Sequence, residues 1–325
     1  MSTGAMEISV VVPVYRSAGI LPELVRQVSD ELSILAPDRY EVVLVNDRSP
    51  DHSWSVMRDL SKDRPWLKCI SLRKNAGQHN AIMAGLNFAV GRIVIIMDDD
   101  LQHPPSALST LAEKIREGAD VCYTRYLERK HSTFKTLGSK VNDIAAGLLL
   151  KKPKGLYLSS FKALSGSLVK EIIRYDGPFT YVDGLILSVT DSIAVVEIKH
   201  GARAEGDSGY TLKKLLSLWL KMATRSSIPL RVATVSGFVL SLLSMLLFAA
   251  VIIERLIAGT DQPGWASTIA VLLFVSGVQM FFLGVLGEYV GRIYSRVNKE
   301  PQFTVLDAIN TNGTAPNCRT SAQTV

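Results

Sequence analysis

Two uncharged apolar segments, Val232–Ile253 and Ala266–Gly287, constrain this chain more than any other feature of its sequence. Each runs for about 22 residues, enough for a helix to cross a hydrocarbon core of about 30 Å. Buried core helices are the alternative, and two such lengths back to back fit that poorly. The connection Glu254–Trp265 is short and carries Arg255 as its one basic residue. The outer flanks carry Lys213, Lys214, Lys221, Arg225 and Arg231 before the pair, and Arg292, Arg296 and Lys299 after it. Excess Lys and Arg mark the cytoplasmic side, so both termini are expected there and the short loop outside. Tyr210–Met222 places Leu212, Leu215, Leu216, Trp219 and Leu220 on one side with lysines among them. It reads as an amphipathic helix lying in the membrane interface, an ordinary surface helix being the alternative. The expected organisation is a catalytic-size domain over 1–209, an interfacial region over 210–231, a two-helix hairpin over 232–291 and a cytosolic segment over 292–325. The tail after about residue 306, rich in Thr, Asn and Ala, is expected to be disordered.

The net charge of +6 suits nucleic acid, anionic lipid or a phosphate-rich ligand. The basic residues cluster beside the apolar segments and between Arg125 and Lys154, which favours lipid and phosphate and speaks against nucleic acid. Cys69, Cys122 and Cys318 are far apart, without metal spacing, as expected of free thiols in a reducing compartment. Met1 to Glu7 has neither a basic start nor an apolar core, so no secretory leader is expected.

From residue 7 to about 200, β-branched runs alternate with helix-length stretches. Strands are predicted at Ile8–Val12, Glu41–Val45, Leu67–Leu72, Arg92–Met97, Asp120–Tyr123 and Ile193–Ile198, and helices at Ile20–Leu35, Asp51–Ser61, His79–Val90 and Ser106–Glu117. Ser49-Pro50 reads as an N-cap followed by Pro at the first helical position. This alternation predicts an α/β fold, a mostly parallel sheet with helices on both faces. Ligands of such sheets bind beyond the carboxyl ends of the strands.

One such end reads Ile95-Ile96-Met97-Asp98-Asp99-Asp100-Leu101-Gln102-His103-Pro104-Pro105. On an extended chain Asp98 and Asp100 share a face and Asp99 points away. Two carboxylates there can hold a hard divalent cation, Mg2+ or Mn2+, with a diphosphate supplying further oxygens. A bare Asp-x-Asp is as often a solvated turn capping the next helix; the apolar lead-in and the Leu-Gln-His-Pro-Pro sequel make this one specific.

The stretch resembles the Asp-Ala-Asp-Leu-Gln-x-Pro-Pro signature of family-2 glycosyltransferases acting on polyprenyl phosphates, the dolichyl-phosphate-mannose synthase, bactoprenol glucosyltransferase and undecaprenyl-phosphate aminoarabinose transferase group. Val11-Val12-Pro13-Val14-Tyr15 is similar to that family's opening strand, whose end approaches the nucleotide. Val45-Asn46-Asp47-Arg48-Ser49 resembles its Asp-Asp-Gly-Ser turn, which implies that Asp47 reads the base. Arg73-Lys74-Asn75-Ala76-Gly77-Gln78, with Ala84-Gly85, looks like its Arg-Asn-x-Gly segment near the donor. Arg203 to Tyr210 resembles its Arg…Gly-x-Ser-Lys-Tyr motif, implying acceptor-phosphate contacts at Arg203, Ser208 and Tyr210. Leu286 to Arg292 closes the second span as in bacterial two-span members. The resemblance implies a GT-A-type, Rossmann-like domain followed by the interfacial helix and the membrane hairpin. It also implies an inverting transfer from a nucleotide-sugar, a UDP-sugar such as UDP-glucose in preference to a GDP-sugar, to a polyprenyl phosphate.

The chain departs from the pattern in places. Arg16-Ser17 stands where the family has Asn-Glu, Asp99 replaces a small residue, Arg48 replaces Gly and Gly209 replaces Lys. Ser160-Phe161-Lys162 aligns with an Asp-Phe-Arg triplet whose aspartate is a candidate base. A lipid phosphate monoester has a second pKa of about 6 and is mostly dianionic at neutrality, so serine there is tolerable. The acceptor needs positive charge instead, which Arg203, Arg125 and Arg129 or Lys162 can provide; a solvated basic loop is the alternative for Arg125, Arg129 and Lys130. Metal ligation is expected from Asp98 and Asp100 with Gln102, donor contacts from Pro13, Val14, Tyr15, Asp47, Arg73, Asn75, Gly77, Gln78, Asp98 and Asp99, and catalysis chiefly from Asp98, Asp100 and Arg203. His79 and His103 are expected to be structural or donor-adjacent. Gly277, Gly284, Gly287 and Gly291 on the second span could support a homo-oligomer. Two rivals remain: a processive polysaccharide synthase, disfavoured because no Trp sits in a Gln-x-x-Arg-Trp motif, and a non-catalytic nucleotide-sugar-binding scaffold, which has no need of both metal carboxylates and a phosphate-binding arginine.

Overall fold

In the computed structural model the described residues are 6–126, 153, 156–178, 180–198 and 264–311, with isolated helical positions at Val239, Leu246 and Ile253. The chain forms two compact units: Met1–Tyr210 together with Glu300–Val325, and Thr211–Lys299.

The first unit is built on strands β1 (Ile8–Val14), β2 (Tyr40–Asn46), β3 (Leu67–Leu72), β4 (Ile93–Ile96), β5 (Val121–Tyr126), β6 (Lys162–Ser165), β7 (Ile193–Ile198) and β8 (Val305–Ile309). They form one eight-stranded sheet in the order β7-β5-β6-β4-β1-β2-β3-β8. The β1/β2, β1/β4, β2/β3 and β5/β7 pairs are parallel. Those of β6 with β4 and β5, and of β8 with β3, are antiparallel.

Helices α1 (Leu21–Leu35), α2 (Ser53–Ser61), α3 (Gln78–Phe88), α4 (Ala107–Arg116), α5 (Gly166–Ile172) and α6 (Val182–Val189) cover the sheet. Alternate β1 residues Ile8, Val10, Val12 and Val14 belong to the core that includes α1, α2 and α4, whereas Val11 belongs to the core that includes α3, α5 and α6. A strand covered on both faces is apolar on both, which is why β1 and β2 read as continuous hydrophobic runs. Gly85 lets α3 lie close on β1: a Cβ there would come within 2.4 Å of Val11 Cγ1.

Four expectations are corrected. β6 was not foreseen, so the sheet is mixed at that edge. The tail expected to lose order after about residue 306 instead carries β8 through Ile309. Ser49-Pro50 does not cap α2: the helix begins at Ser53, whose N–H donates to Asp51 Oδ1 at 3.1 Å. Pro13 and Val14 are buried within β1, so their side chains are core rather than ligand contacts.

In the second unit, α7 (Trp265–Val297) is 33 residues long and covers the residues where the second span was expected. Taken over the described residues alone, no helix is long and apolar enough to cross a membrane. Several side chains of α7 are not among them, while its full sequence from Trp265 through Gly287 holds no charged residue. Val271, Leu272, Met280, Leu283 and Val290 on α7 are exposed. Apart from Val239, Leu246 and Ile253 the first span lies outside the described residues, as do the interfacial helix and Arg129, Lys130, Arg203, Ser208 and Tyr210.

Candidate active site

Parallel strands bring their carboxyl ends to one edge, and there β1 gives way to Tyr15, β2 to Asp47, β3 to Arg73 and β4 to Met97–Asp100. β4 ends at Ile96, so strand alternation does not orient the three aspartates. Local partners do, and they pull each carboxylate a different way.

Asp98 faces α3 and the start of β6. Its Oδ1 accepts from Gln78 Nε2 at 2.8 Å, and its Oδ2 lies 3.4 Å from His103 Nε2. Burial pushes this carboxyl up, but the His103 bond and charge, the nearby Ser160 hydroxyl and the Lys162 charge together hold it below the usual range. It is therefore ionised at neutral pH. His103 itself is buried and stacked on Phe161, with centroids 4.8 Å apart. Thr124 Oγ1 donates to Ser159 Oγ or to the Phe161 carbonyl, each at 2.8 Å, fixing the residues on either side of Ser160.

Asp99 turns to the β1–α1 loop, where its Oδ2 accepts from Tyr15 N at 3.0 Å and from Ser17 Oγ. Burial and the adjacent Asp98 charge outweigh these bonds and raise it to about 6. Arg16 in this loop has φ 61 and lies over the Tyr15 ring at 5.5 Å. Ala18 N and Ser53 N, with the Ser49 and Ser53 hydroxyls, converge on Asp51. Burial opposes ionisation there, and the hydrogen bonds overcome it, leaving Asp51 at about 2. Asp100 folds back, its Oδ1 accepting from Gln102 N at 3.1 Å across Leu101, which has φ 57.

Asp47 is used differently from expectation. It is buried, and its two oxygens accept from Ala76 N at 2.6 Å and Gly77 N at 2.9 Å. Burial raises it, partly countered by those two bonds. Asn75 Nδ2 donates to the Asp47 carbonyl at 3.0 Å. Asp47 thus braces the Arg73–Gly77 loop rather than presenting a free carboxylate to a base. Gly77 closes that loop with φ 85, a conformation that favours glycine.

Lys162 is also corrected. It is 2% exposed, and its ammonium pairs with Asp183, whose Oδ1 also accepts from Tyr123 OH at 3.0 Å. Its ammonium is thus taken up by Asp183, and its charge also helps to hold Asp98 ionised. Arg125 is exposed near the carboxyl end of β5, and Arg73 and Tyr15 are exposed at theirs. The sequence brought Asp98 and Gln78 into view separately; the structure joins them by a hydrogen bond. The contact of His103 with Asp98 was foreshadowed only by its place in Leu-Gln-His-Pro-Pro, and Thr124, Ser17 and Asp183 left no sequence signal.

As to metal binding, among the described residues no three His, Cys, Asp or Glu side chains gather into a closed metal cage. In chemical type the carboxylate oxygens of Asp98 and Asp100 are hard donors, which suit a divalent ion completed by oxygens of a bound ligand.

A mixed sheet whose parallel carboxyl ends carry an Asp-x-Asp and a braced glycine loop defines a GT-A-like sugar-transfer domain. Residues 9–173 match the glycosyl transferase family 2 model, and residues 228–293 match the GtrB C-terminal hairpin. The chain belongs to glycosyl transferase family 2 and is a transferase enzyme. It is 32% identical over 313 residues to an undecaprenyl-phosphate 4-deoxy-4-formamido-L-arabinose transferase of Edwardsiella ictaluri (strain 93-146), covering 94% of this chain and 95% of the relative. To the enzyme of the same name from Serratia proteamaculans (strain 568) it is 33% identical, covering 98% and 97%. A Bacillus subtilis (strain 168) protein named uncharacterized glycosyltransferase YkcC is 31% identical, covering 92% and 93%. Among solved structures, glucosyl-3-phosphoglycerate synthase from Mycobacterium tuberculosis, in complex with Mn2+, UDP and phosphoglyceric acid, aligns with TM-score 0.50 at 19% identity over 68% of this chain and 77% of that one. That likeness is one of fold.

Proposed function

We propose that this enzyme transfers a sugar from a nucleotide-diphosphate sugar, a UDP-sugar in preference to a GDP-sugar, to a polyprenyl phosphate at the cytoplasmic face of a membrane. The observation that carries the reading is the ionised Asp98 beyond the β4 end, held between Gln78, the first residue of α3, and the buried His103. The names of the relatives support undecaprenyl phosphate as acceptor and 4-deoxy-4-formamido-L-arabinose as a sugar to test beside glucose.

Asp98 and Asp100, with Gln102 beside them, would hold Mg2+ or Mn2+, which when bound offsets the charge that grows on the leaving diphosphate. Gln78 and His103 fix the Asp98 carboxylate before the donor arrives, so little reorganisation is left to the reaction itself. Tyr15 and the Arg73–Gly77 loop flank the donor. The acceptor phosphate oxygen bonds to the anomeric carbon as the bond from that carbon to the diphosphate breaks, giving inversion in one displacement. Because the phosphate is already ionised, no side chain has to remove a proton. Arg125 and Arg203 are the cations proposed to hold it.

The polyprenyl chain resists leaving the bilayer by about 0.8 kcal/mol per methylene. The hairpin match, the apolar α7 sequence and the basic flanks support two spans with both termini cytoplasmic. A cysteine placed at Gly259 should react with an impermeant thiol reagent on intact cells while Cys318 does not. The opposite labelling would overturn this topology. The activity itself is tested with a panel of labelled UDP- and GDP-sugars and undecaprenyl phosphate: label should enter the organic-soluble lipid, and no transfer from any donor would sink the proposal.

A further inference from the structure

The segment after α7 returns to the catalytic unit, and its first residues lie against the loops around α3. Gln302 is 9% exposed, and its Nε2 donates to the Gly177 carbonyl at 3.1 Å and to Thr180 Oγ1. Two residues on, the Thr304 carbonyl accepts from Arg73 N at 2.8 Å, at the root of the glycine loop. Asn80, in the first turn of α3, ties the same two regions together, its Nδ2 lying 3.0 Å from the Ala76 carbonyl and 3.5 Å from that of Pro178. β8 then runs antiparallel to β3 away from the site, from Leu72↔Val305 to Cys69↔Ile309. It ends where Asn310 Nδ2 faces the carbonyls of Ser61, Arg64 and Leu67 at 3.2, 3.1 and 2.9 Å. One short strap is therefore fastened at both ends of β3, beside the donor loop at one end and at the opposite edge of the sheet at the other.

We propose that Gln302, with the Thr304 backbone, is a positioning residue of the donor site: through the 177–180 segment and Asn80 it sets the Arg73–Gly77 loop, after which Gln78 opens α3 and holds Asp98. The proposal rests on the donor site described above. The Gln302 amide orders the segment around Gly177 and Thr180, which Asn80 joins to the Ala76 carbonyl, so order passes to the donor loop and, being present before ligand arrives, lowers the cost of binding. The same strap anchored at Asn310 touches no donor residue, so the two ends separate a positioning role from simple strand attachment.

The test uses the full chain in detergent with Mg2+, titrated calorimetrically with UDP and with GDP. Gln302→Met keeps the volume and removes the donated bonds. It should weaken the nucleotide that the wild type binds by about tenfold, the worth of one or two buried hydrogen bonds. Donor KM should rise with kcat nearly unchanged, and amide exchange across residues 73–80 should quicken. Asn310→Ala should lower the melting temperature yet leave nucleotide affinity and that exchange as in the wild type. If Gln302→Met does not fold, Thr180→Val removes the same contact from the partner side. Unchanged affinity in Gln302→Met, or equal weakening in Gln302→Met and Asn310→Ala, overturns the proposal alone. Binding of neither nucleotide by the wild type overturns the donor reading, and the proposal with it.

Discussion

The two ends of the parallel strands handle buried charge in opposite ways. At the amino ends, Glu41 Oε1 accepts from Ser9 Oγ at 2.6 Å and Val90 N at 2.8 Å, and Oε2 lies 2.7 Å from Lys68 Nζ as an ion pair rather than a well-angled hydrogen bond. Lys68 also donates to the Phe88 carbonyl at 3.0 Å, and Ser9 Oγ accepts from Gly91 N at 2.8 Å. That cluster joins β1, β2 and β3 and is neutral as a whole. At the carboxyl ends, Asp98, Asp99 and Asp100 lie in succession and take their hydrogen bonds from amides, hydroxyls and a histidine. The first arrangement is self-satisfied. The second leaves anionic charge for something outside the protein to meet, which is what a metal-assisted diphosphate site requires.

This contrast breaks most sharply at Glu41. Glu41→Ala leaves Lys68 buried without its partner and should cost about 3–5 kcal/mol of stability. Transfer per folded molecule should be unchanged, as chemical denaturation combined with activity at matched folded fraction will reveal. Next in size, excess chelator should reduce transfer at least 10²-fold, the loss typical of removing a charge-stabilising group, with added Mg2+ or Mn2+ restoring it. Persistence of transfer would deny the carboxyl-end metal.

Asp99 gives a smaller, pH-dependent effect. Its native value of about 6 lies above the ordinary 3.8, so the folded state keeps a proton that the unfolded chain releases between about pH 4 and 6. Asp99 therefore favours the fold at low pH and loses that contribution as pH rises through 6. In chelator, the wild type should gain melting temperature over Asp99→Asn on going from pH 7 to 4.5; a constant difference would contradict the assignment. Smallest is Arg48, held at φ 52, where a non-glycine residue carries about 1 kcal/mol of strain. Arg48→Gly should stabilise by about 0.5 kcal/mol once backbone entropy is counted, read from denaturant midpoints.

The parts of the fold legible in the sequence were those where burial writes a periodic pattern. Leu67–Leu72 and Ile193–Ile198 were placed to the residue, and the other foreseen strands differ only at their ends. β6 escaped because Lys162-Ala163-Leu164-Ser165 is short and opens with a lysine that owes its burial to Asp183, 21 residues away. β8 escaped because Asp307 interrupts a run in an otherwise polar tail, and its pairing with β3 is set by tertiary structure. At the site, the residue types at Asp98–Asp100 were readable and their orientations were not, because the strand stops at Ile96 and distant donors aim each carboxylate. Asp47 likewise gave its position but not its role, which depends on amides about thirty residues further on.

The central claim is that the chemistry resides in the carboxyl-end carboxylates while the amino-end pair only supports the fold. The direct test is transfer of label to undecaprenyl phosphate by full-length Asp98→Asn and Lys68→Met, each normalised to its folded fraction. Asp98→Asn should melt close to the wild type and lose at least 10²-fold in transfer, whereas Lys68→Met should melt far lower and transfer at the wild-type rate. Equal transfer by Asp98→Asn and the wild type would contradict the account.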